Sequence, residues 1–352
     1  MRVLIVRLSS MGDVVHTLPA LTDAARAIPA IRFDWAVDEK FADIPAWHSH
    51  IERVFPVALR RWRAGLASGA GRAAVKDSLK ELRSESYGAI IDLQGEFKSA
   101  FISRLAKGAR YGYDGASARE WGAHTAYNQK IGVAKSAHSI VRMRKLLSQA
   151  LGYSYDETSV DYGIVQSRLP RSSIAVDRPY VVFIHSTSWA SKNWPLECWR
   201  ELAASATTAG YSVVMPWGSE AERERSIEIA AQRTNVVVLP QLSISAKASI
   251  INGAAATVGL DTGLSHIAAA LSIPSVTLYG ATDPNLCGAI GANQTHIKSD
   301  FECVGCHETD CSFTKSNFKP ACFESVSPAK VWRQLEQVLD TSLKSNRIYQ
   351  TA

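Results

Sequence analysis

Short apolar runs alternate with helix-like spacing of apolar residues through the first half of the chain. The runs predict strands at residues 3–8, 33–37, 54–58 and 89–93, and the helical spacing predicts helices at 14–27, 73–84 and 99–106. Alternation of this kind is typical of a parallel sheet with helices on both faces. The first half is therefore predicted to be an α/β, doubly wound domain of the Rossmann type.

The alternation is lost from about residue 153 to residue 179, where Arg168-Leu169-Pro170-Arg171-Ser172-Ser173 is typical of a linker, and then starts again. Strands are predicted at 180–184, 211–215, 236–239, 257–260 and 276–279, and helices at 195–209, 220–232, 244–252 and 262–271. A chain of 352 residues is long enough for two such domains. We predict Rossmann-like domains at 1–165 and 175–327 that face each other across a cleft. The C-terminal segment 328–352, with its helical run, is a candidate to pack back on the first domain.

Composition and charge are those of a globular protein with anionic partners. Hydrophobic residues make up 46% of the chain and charged residues 20%. The N-terminus lacks the pattern of a secretory signal, and no segment approaches the roughly 18 apolar residues of a membrane span, so we expect a cytoplasmic protein. The net charge of +6 does not choose among nucleic acid, anionic lipid and phosphorylated small molecules. Cations crowd one segment, where Arg60, Arg61 and Arg63 precede a predicted helix.

Residues 257–266 combine an apolar strand, a tight turn at Asp261-Thr262-Gly263 and a helix start. The first N–H groups of a helix and its positive dipole end bind phosphate, and Gly263 allows a ligand close to the backbone. The alternative is structural, with Asp261 as a helix cap and His266 as a packed side chain. The chain contains neither G-x-G-x-x-G nor G-x-x-x-x-G-K-[ST], which argues against a dinucleotide dehydrogenase and a P-loop NTPase. A phosphate-bearing ligand remains the expectation.

Asp13 follows the first predicted strand at the start of a helix. A carboxylate there could take a proton from a substrate hydroxyl, although helix N–H groups lower its pKa, or it could serve only as a cap. Glu222 has two interpretations as well. It completes a capping box with Ser219, or it contacts ribose hydroxyls after the preceding strand.

The loop 185–195 joins a predicted strand to a predicted helix and carries polar side chains. The hydroxyls of Thr187 and Ser188 could bind phosphate oxygens, with Lys192 as a cation beside them. An exposed lysine in a polar loop is the alternative.

Four of the six cysteines fall within twenty residues and form the spacing Cys303-x2-Cys306-x4-Cys311-x10-Cys322. Such a cluster could hold a structural zinc ion, although only the first pair has the spacing of zinc fingers. In a cytosolic protein, free thiols are the alternative and a disulfide is less expected than either.

Four motifs in order carry a resemblance to a known family. They are Ser9-Ser10-Met11-Gly12-Asp13, Lys192-Asn193-Trp194-Pro195, Pro216-Trp217-Gly218-Ser219 and Asp261-Thr262-Gly263-Leu264-Ser265-His266. With them the chain resembles the ADP-heptose:lipopolysaccharide heptosyltransferases over nearly its whole length, and the first motif favours the heptosyltransferase I branch. The resemblance implies the two-Rossmann GT-B fold and transfer from ADP-L-glycero-β-D-manno-heptose to a 3-deoxy-manno-octulosonic acid (Kdo) residue of Kdo2-lipid A. It further implies inversion, no catalytic metal or other required cofactor, and peripheral contact with an anionic membrane at the cytoplasmic face of the inner membrane.

The resemblance also implies roles for individual residues. Asp13 would be the general base, and Lys192 would stabilise the leaving diphosphate. Donor binding would fall to Thr187, Ser188, Lys192, Glu222, Leu242, Asp261, Thr262, Gly263 and His266, with Leu242 packed on adenine. The anionic acceptor would bind Arg60, Arg61 and Arg63.

Two alternatives stay open at this stage. The cysteine tract is associated with heptosyltransferase II, so the enzyme could add heptose to an already heptosylated core acceptor. A non-enzymatic protein that binds anionic glycans or nucleic acid could use the same basic segment, but nucleic acid is not expected because that segment has no aromatic side chains between its cations beyond Trp62.

Overall fold

The computed structural model describes residues 1–65, 68–171, 174–316 and 318–350, and for Ala74 and residues 341–350 it describes the backbone alone. The chain forms two compact units, Met1–Arg168 and Leu169–Ala352. The division lies next to the linker expected from the sequence, of which Ser172 and Ser173 are outside the described residues.

The first unit is built on a six-stranded parallel sheet. Its strands are β1 (Arg2–Val6), β2 (Arg32–Asp38), β3 (Ile51–Val57), β4 (Ser86–Asp92), β5 (Lys107–Tyr113) and β6 (Gln129–Ile131), in the order β3-β2-β1-β4-β5-β6. Its helices are α1 (Met11–Ala27), α2 (Asp43–Ala46), α3 (Leu59–Gly65), α4 (Gly69–Leu82), α5 (Phe97–Leu105) and α6 (Ser139–Leu151). The central strand β1 is apolar on both faces because helices cover both, and Leu4 and Val6 lie in the unit's core.

The second unit repeats this winding. Its strands are β7 (Tyr180–Ile184), β8 (Ser212–Met215), β9 (Val236–Val238), β10 (Ala256–Leu260), β11 (Ser275–Tyr279) and β12 (Gln294–Lys298), in the order β12-β11-β10-β7-β8-β9. Its helices are α7 (Leu196–Thr208), α8 (Glu220–Ala230), α9 (Ile244–Asn252), α10 (Gly263–Ala270), α11 (Pro284–Cys287) and α12 (Pro328–Gln350). Short 3-10 helices lie at Glu39–Phe41, Ala123–Ala126, Gln166–Arg168, Ala190–Lys192 and Ala321–Ser325. The prediction of two doubly wound α/β units is confirmed.

The described part of the last helix packs on its own unit, and contact of the segment 328–352 with the first domain stays a prediction. Val331, Leu335 and Leu339 recur one helical turn apart and are buried in the core of the second unit. Thr351 and Ala352, at the end of the expected segment 328–352, are outside the described residues.

Two local differences affect candidate residues. Helix α1 begins at Met11 rather than at residue 14, so Asp13 lies inside its first turn. Arg60, Arg61 and Arg63 do not stand in a loop before a helix, because Leu59–Gly65 forms the separate short helix α3. Among the helices that the structure describes, none combines the length and apolar character needed to cross a membrane.

Candidate active site

Each sheet has one position where the direction of winding reverses. It lies between β1 and β4 in the first unit and between β7 and β10 in the second. Loops at the carboxyl ends of strands diverge there and leave room for a ligand. Asp13 follows β1, the loop of Lys192 follows β7, and Asp261 follows β10. The three charged residues singled out in the sequence therefore all lie at reversal points, each within its own unit.

In the first unit, the carboxylate of Asp13 lies between two guanidinium groups. Its Oδ2 is 2.7 Å from Nη2 of Arg7 and 3.0 Å from Nη2 of Arg119. The N–H and the hydroxyl of Ser10, the N-cap of α1, donate to the same oxygen at 3.3 and 3.1 Å. The hydroxyl of Ser139 donates to Oδ1 at 3.3 Å. Asp13 is thus both a capping residue and the centre of a charged cluster.

The arginines dominate the protonation of Asp13. Burial acts to raise the pKa of its carboxyl group, but the positive charges of Arg7 and Arg119 outweigh burial and hold the pKa far below its usual range. Asp13 is consequently an anion at neutral pH. In this arrangement it is a hydrogen-bond acceptor of low intrinsic basicity.

In the second unit, the side chain of Asp261 is buried and fully engaged. Its Oδ2 accepts hydrogen bonds from Nζ of Lys192 at 2.8 Å and from the hydroxyl of Thr282 at 2.7 Å, and its Oδ1 lies 3.4 Å from Nε2 of His266. Burial acts to raise the pKa of Asp261, but His266 and Lys192 hold it well below its usual range. The cation of Lys192 is thereby fixed at the start of α10.

The start of α10 lies at the end of β10, just after Asp261. Thr262 is the N-cap, and its side chain makes no capping hydrogen bond. The N–H groups of Gly263 and Leu264 have no acceptor within the helix, whereas those of Ser265 and His266 donate to the carbonyl oxygen of Thr262 at 3.0 and 3.4 Å. Ser265 does not cover them, because its hydroxyl donates back to the carbonyl oxygen of Leu260 at 2.6 Å.

The loop of Lys192 is held by contacts on both sides. Nζ of Lys192 lies 4.4 Å from the ring centroid of Trp189. The N–H of Thr187 donates to Oδ1 of Asn193 at 3.1 Å, which closes the loop on itself, and Ser188 is exposed at its rim. Ser191, next to Lys192, donates to the carbonyl oxygens of residues 308 and 309 through its hydroxyl and N–H, at 2.5 and 3.0 Å.

The contacts of Glu222 agree in part with a capping role and leave a role in ribose binding open. The hydroxyl of Ser219 accepts from its N–H at 3.3 Å, but its own carboxylate accepts from the N–H of Gly218 at 2.6 Å, one residue before the position of a regular capping box. A side chain at Gly218 would begin 3.2 Å from Oε2 of Glu222 and 3.9 Å from Nζ of Lys247. Leu242 is half-buried just before α9. A carboxylate on α8, a buried lysine on α9 and an apolar side chain just before α9 thus follow β8 and β9.

Comparison with known proteins identifies the family. The sequence profile of glycosyltransferase family 9 (heptosyltransferase) matches residues 75–317. Lipopolysaccharide heptosyltransferase 1 of Pseudomonas aeruginosa is 45% identical over 350 residues, which cover 96% of this chain and 98% of the relative. The chain belongs to glycosyltransferase family 9.

Solved structures agree with this assignment. The Escherichia coli heptosyltransferase WaaC with ADP superposes with a TM-score of 0.84 and 42% identity, over 96% of this chain and 100% of that one. WaaC with ADP-2-deoxy-2-fluoro heptose gives a TM-score of 0.80 and 41% identity, over 96% and 99% of the two chains. This heptosyltransferase therefore has the GT-B type of α/β fold that the sequence motifs indicated.

The basic residues of this heptosyltransferase lie apart from its reversal point. Helix α3 follows β3, which is two strands away from β1. Arg60, Arg61 and Arg63 are exposed, and Arg61 forms an ion pair of 2.8 Å with Glu39 while its side chain remains 74% exposed. Within the described part of the chain, no ion pair or hydrogen bond connects the three arginines to Asp13.

The four clustered cysteines line one cavity of about 100 Å³. Burial raises the pKa of Cys322 to about 12, and burial together with the neighbouring thiols raises the pKa of Cys303. Over the residues that the structure describes, however, no three His, Cys, Asp or Glu side chains are arranged as metal ligands. The sequence thus predicted the gathering of the thiols, and the structural zinc ion stays a prediction.

Sequence reasoning missed several members of the site. Arg7 is the member with a local signal, because it is a charged residue at the end of the buried strand β1 and must find a partner. Arg119 and Thr282 lie in polar loops, 106 and 21 residues from the aspartates that they contact, and nothing in their immediate sequence marks them.

Proposed function

We propose that this enzyme transfers L-glycero-D-manno-heptose from ADP-heptose to the Kdo residue of Kdo2-lipid A, with inversion and without a metal ion. The observation that carries the proposal is the chemistry of the two reversal points. One holds an ionised carboxylate, and the other holds a fixed ammonium group at a helix start. Transfer with inversion needs a proton acceptor on one side of the sugar and a neutralised diphosphate on the other.

The second unit would bind the donor. Lys192, with Thr262 and Gly263 at the start of α10, supplies positive charge and donors for the diphosphate, which is how charge on the leaving group is stabilised without a metal. Asp261 and His266 hold Lys192 and the helix start in place, while Thr187 and Ser188 add hydroxyls from the facing loop. Glu222 would accept from ribose hydroxyls and Leu242 would pack on adenine. The solved relative that carries ADP or an ADP-heptose analogue supports this choice of donor.

The first unit would bind the acceptor. Asp13 would accept the proton of the attacking Kdo hydroxyl as the glycosidic bond to ADP breaks. Its depressed pKa makes it a weak base in the resting enzyme. A carboxylate of the acceptor that drew Arg119 away would raise that pKa at the moment when the base is needed.

Arg60, Arg61 and Arg63 would attract the phosphates and carboxylates of the acceptor from solvent, because exposed cations act over a distance of about one Debye length. Transfer would require the two domains to close across the expected cleft, since Asp13 and Lys192 belong to different units. The acceptor is a lipid, so the enzyme would work at the cytoplasmic face of the inner membrane.

The proposal is tested by release of ADP from ADP-heptose in the presence of EDTA, with and without de-acylated Kdo2-lipid A. We expect release that depends on the acceptor, and we expect Asp13→Asn to lose about 100-fold or more of it while ADP-heptose still binds in calorimetry. Full turnover by Asp13→Asn would overturn its role as the base. Release only with an already heptosylated core acceptor would favour the heptosyltransferase II-like alternative, and metal-dependent release would overturn the metal-free mechanism.

A further inference from the structure

Three aromatic side chains that the core does not use lie together on the first unit. Among the described residues, the large hydrophobic side chains with the highest exposure are Phe97 at 59%, Phe101 at 55%, Trp121 at 80%, Met1 at 51% and Ile227 at 48%. Single exposed apolar residues are common, but every aromatic in this group comes from the same surface. We call Phe97, Phe101 and Trp121 the aromatic patch.

Local packing fixes the patch as a unit. Phe97 and Phe101 lie one turn apart on α5, and Ala100, on the adjoining side of the helix, packs in a buried cluster with Ala123 and Ala126. The N–H of Phe97 donates to Oε2 of Glu120 at 2.6 Å. A side chain at Gly122 would begin 3.2 Å from Cζ of Phe97, so the Phe97 ring lies against the backbone beside Trp121. The two segments therefore present one continuous surface.

Cations surround the aromatic patch. The exposed side chains of Lys98, Arg104, Lys107 and Arg119 lie on α5 or on the segments that flank it, against the two acids Glu96 and Glu120. Aromatic rings beside lysine and arginine are typical of surfaces that enter the headgroup layer of a membrane, where the rings reach the acyl boundary and the cations bind anionic headgroups. The charge of the surface is complementary to an anionic bilayer.

The patch also adjoins the proposed catalytic carboxylate. Arg119 comes two residues before Trp121 and contacts Asp13 at 3.0 Å, and Nζ of Lys98 on α5 donates to the hydroxyl of Ser9 at 2.9 Å. If the acceptor is a lipid-linked sugar, as proposed above, its acyl chains stay in the bilayer while the sugar reaches Asp13. The bilayer must then lie beside Asp13, where the aromatic patch is.

We propose that Phe97, Phe101 and Trp121 insert into the interface of an anionic phospholipid bilayer and hold the acceptor site of the first unit against the membrane surface. This inference rests on the proposed function only for the reason why membrane binding would be useful to the enzyme. The binding itself is a property of the patch and can be measured without any acceptor.

The test is flotation of the full-length protein with vesicles of phosphatidylglycerol and phosphatidylethanolamine, and with vesicles of phosphatidylcholine alone. We expect binding to the anionic vesicles that weakens with added salt, and a loss of about tenfold or more in binding for the triple variant Phe97→Ser, Phe101→Ser, Trp121→Ser. The matched control Ile227→Ser removes an exposed apolar side chain from the second unit and should bind as the wild type does. If the triple variant unfolds, Trp121→Ala alone should still lower binding about threefold.

Equal vesicle binding by wild type and variants would overturn the proposal. A role of the aromatic patch as a dimer interface would also overturn it. In that case sedimentation would show a dimeric wild type and a monomeric triple variant, and vesicle binding would be the same for both. Turnover separates this inference from the proposed function. The triple variant should act on de-acylated acceptor as the wild type does and lose activity only on acceptor embedded in vesicles, whereas absence of transfer in every protein would refute the function and leave the vesicle result standing.

Discussion

Nζ of Lys192 lies 2.8 Å from Oδ2 of Asp261, and the two side chains are 14% and 6% exposed. The pair joins the loop after β7 to the turn after β10, which are the two strands that flank the reversal point of the second sheet. A second Lys–Asp pair of the same unit, Lys298 with Asp283 at 3.2 Å, is 41% and 28% exposed. The two pairs allow a direct comparison of a buried pair and a solvated one.

We expect Lys192→Met to lower kcat by about 100-fold or more, because the leaving diphosphate loses a positioned cation. The variant should also lose up to about 3 kcal/mol of unfolding free energy, because Asp261 stays behind as a buried charge. Lys298→Met should change both quantities little, since exposed pairs contribute about 0–1 kcal/mol. Initial rates and urea unfolding of the three proteins check this, and a Lys192→Met enzyme with normal kcat would remove the lysine from the mechanism.

Ser191 ties the loop of Lys192 to the carbonyl oxygens of residues 308 and 309 in the cysteine-rich segment. Ser191→Ala removes the side-chain hydrogen bond, which is worth about 1 kcal/mol, and should raise KM for ADP-heptose about fivefold with a smaller effect on kcat. Ser205→Ala removes an exposed hydroxyl bond to a helical carbonyl oxygen of α7 and serves as the control. A change of kcat alone would show that Ser191 does not act through donor binding.

The sequence predicted those helices and strands whose burial leaves a clear pattern of apolar residues within the element itself. Strand β7 and helix α9 occupy the predicted ranges, and β10 and α10 are within one residue, because buried parallel strands and a glycine-marked turn leave a strong local pattern. The pattern does not predict β5, β6 or β12. These strands carry exposed polar residues and, in β5, two glycines, and β6 and β12 are sheet edges that need only one covered face.

The same reasoning explains which site residues could be predicted. Asp13 and Asp261 each follow a clear strand, so their place at a carboxyl end was readable from the sequence. The low pKa of Asp13 was only partly readable. Helix N–H groups were foreseen, but the charges of Arg7 and Arg119 lower the pKa, and Arg119 reaches Asp13 from 106 residues away through the fold. Contacts of such long sequence separation leave no local trace, so they could not be foreseen from one chain.

The exposed arginines of α3 should act mainly on acceptor capture. The triple variant Arg60→Ala, Arg61→Ala, Arg63→Ala is expected to raise KM for the anionic acceptor about tenfold at low salt, leave KM for ADP-heptose unchanged, and differ less from wild type as salt increases. Lys76→Ala with Lys80→Ala removes neighbouring cations from α4 and should have a smaller effect. An effect that does not depend on salt would contradict long-range attraction.

The six cysteines should react with iodoacetamide in an order set by exposure. Cys306 is exposed and should be alkylated first, whereas burial raises the pKa of Cys198 to about 11 and of Cys322 to about 12, which leaves little thiolate to react. Peptide mass spectrometry over time measures the order, with protein in guanidinium as the control in which all six react alike. Joint protection of Cys303, Cys306 and Cys311 that a chelator removes would instead support the zinc site.

Arg119 should set the acid limb of the pH profile. Its cation lowers the pKa of Asp13, so Arg119→Met is expected to raise that pKa, although Arg7 still holds it below the ordinary value. A base works only when deprotonated. The acid limb of kcat/KM should therefore lie at higher pH in Arg119→Met than in the wild type.

Two measurements separate the effect of Arg119 on the pKa of Asp13 from any effect of Arg119 on acceptor binding. The profile is recorded with de-acylated acceptor, and the carboxyl group of Asp13 is titrated by carbon NMR in the free enzyme, where no substrate is present. Arg72→Met removes an exposed arginine of α4 and should leave both curves unchanged. An upward shift in the NMR titration without a shift of the acid limb would mean that Asp13 does not take the proton, because its basicity would then change without any effect on the rate.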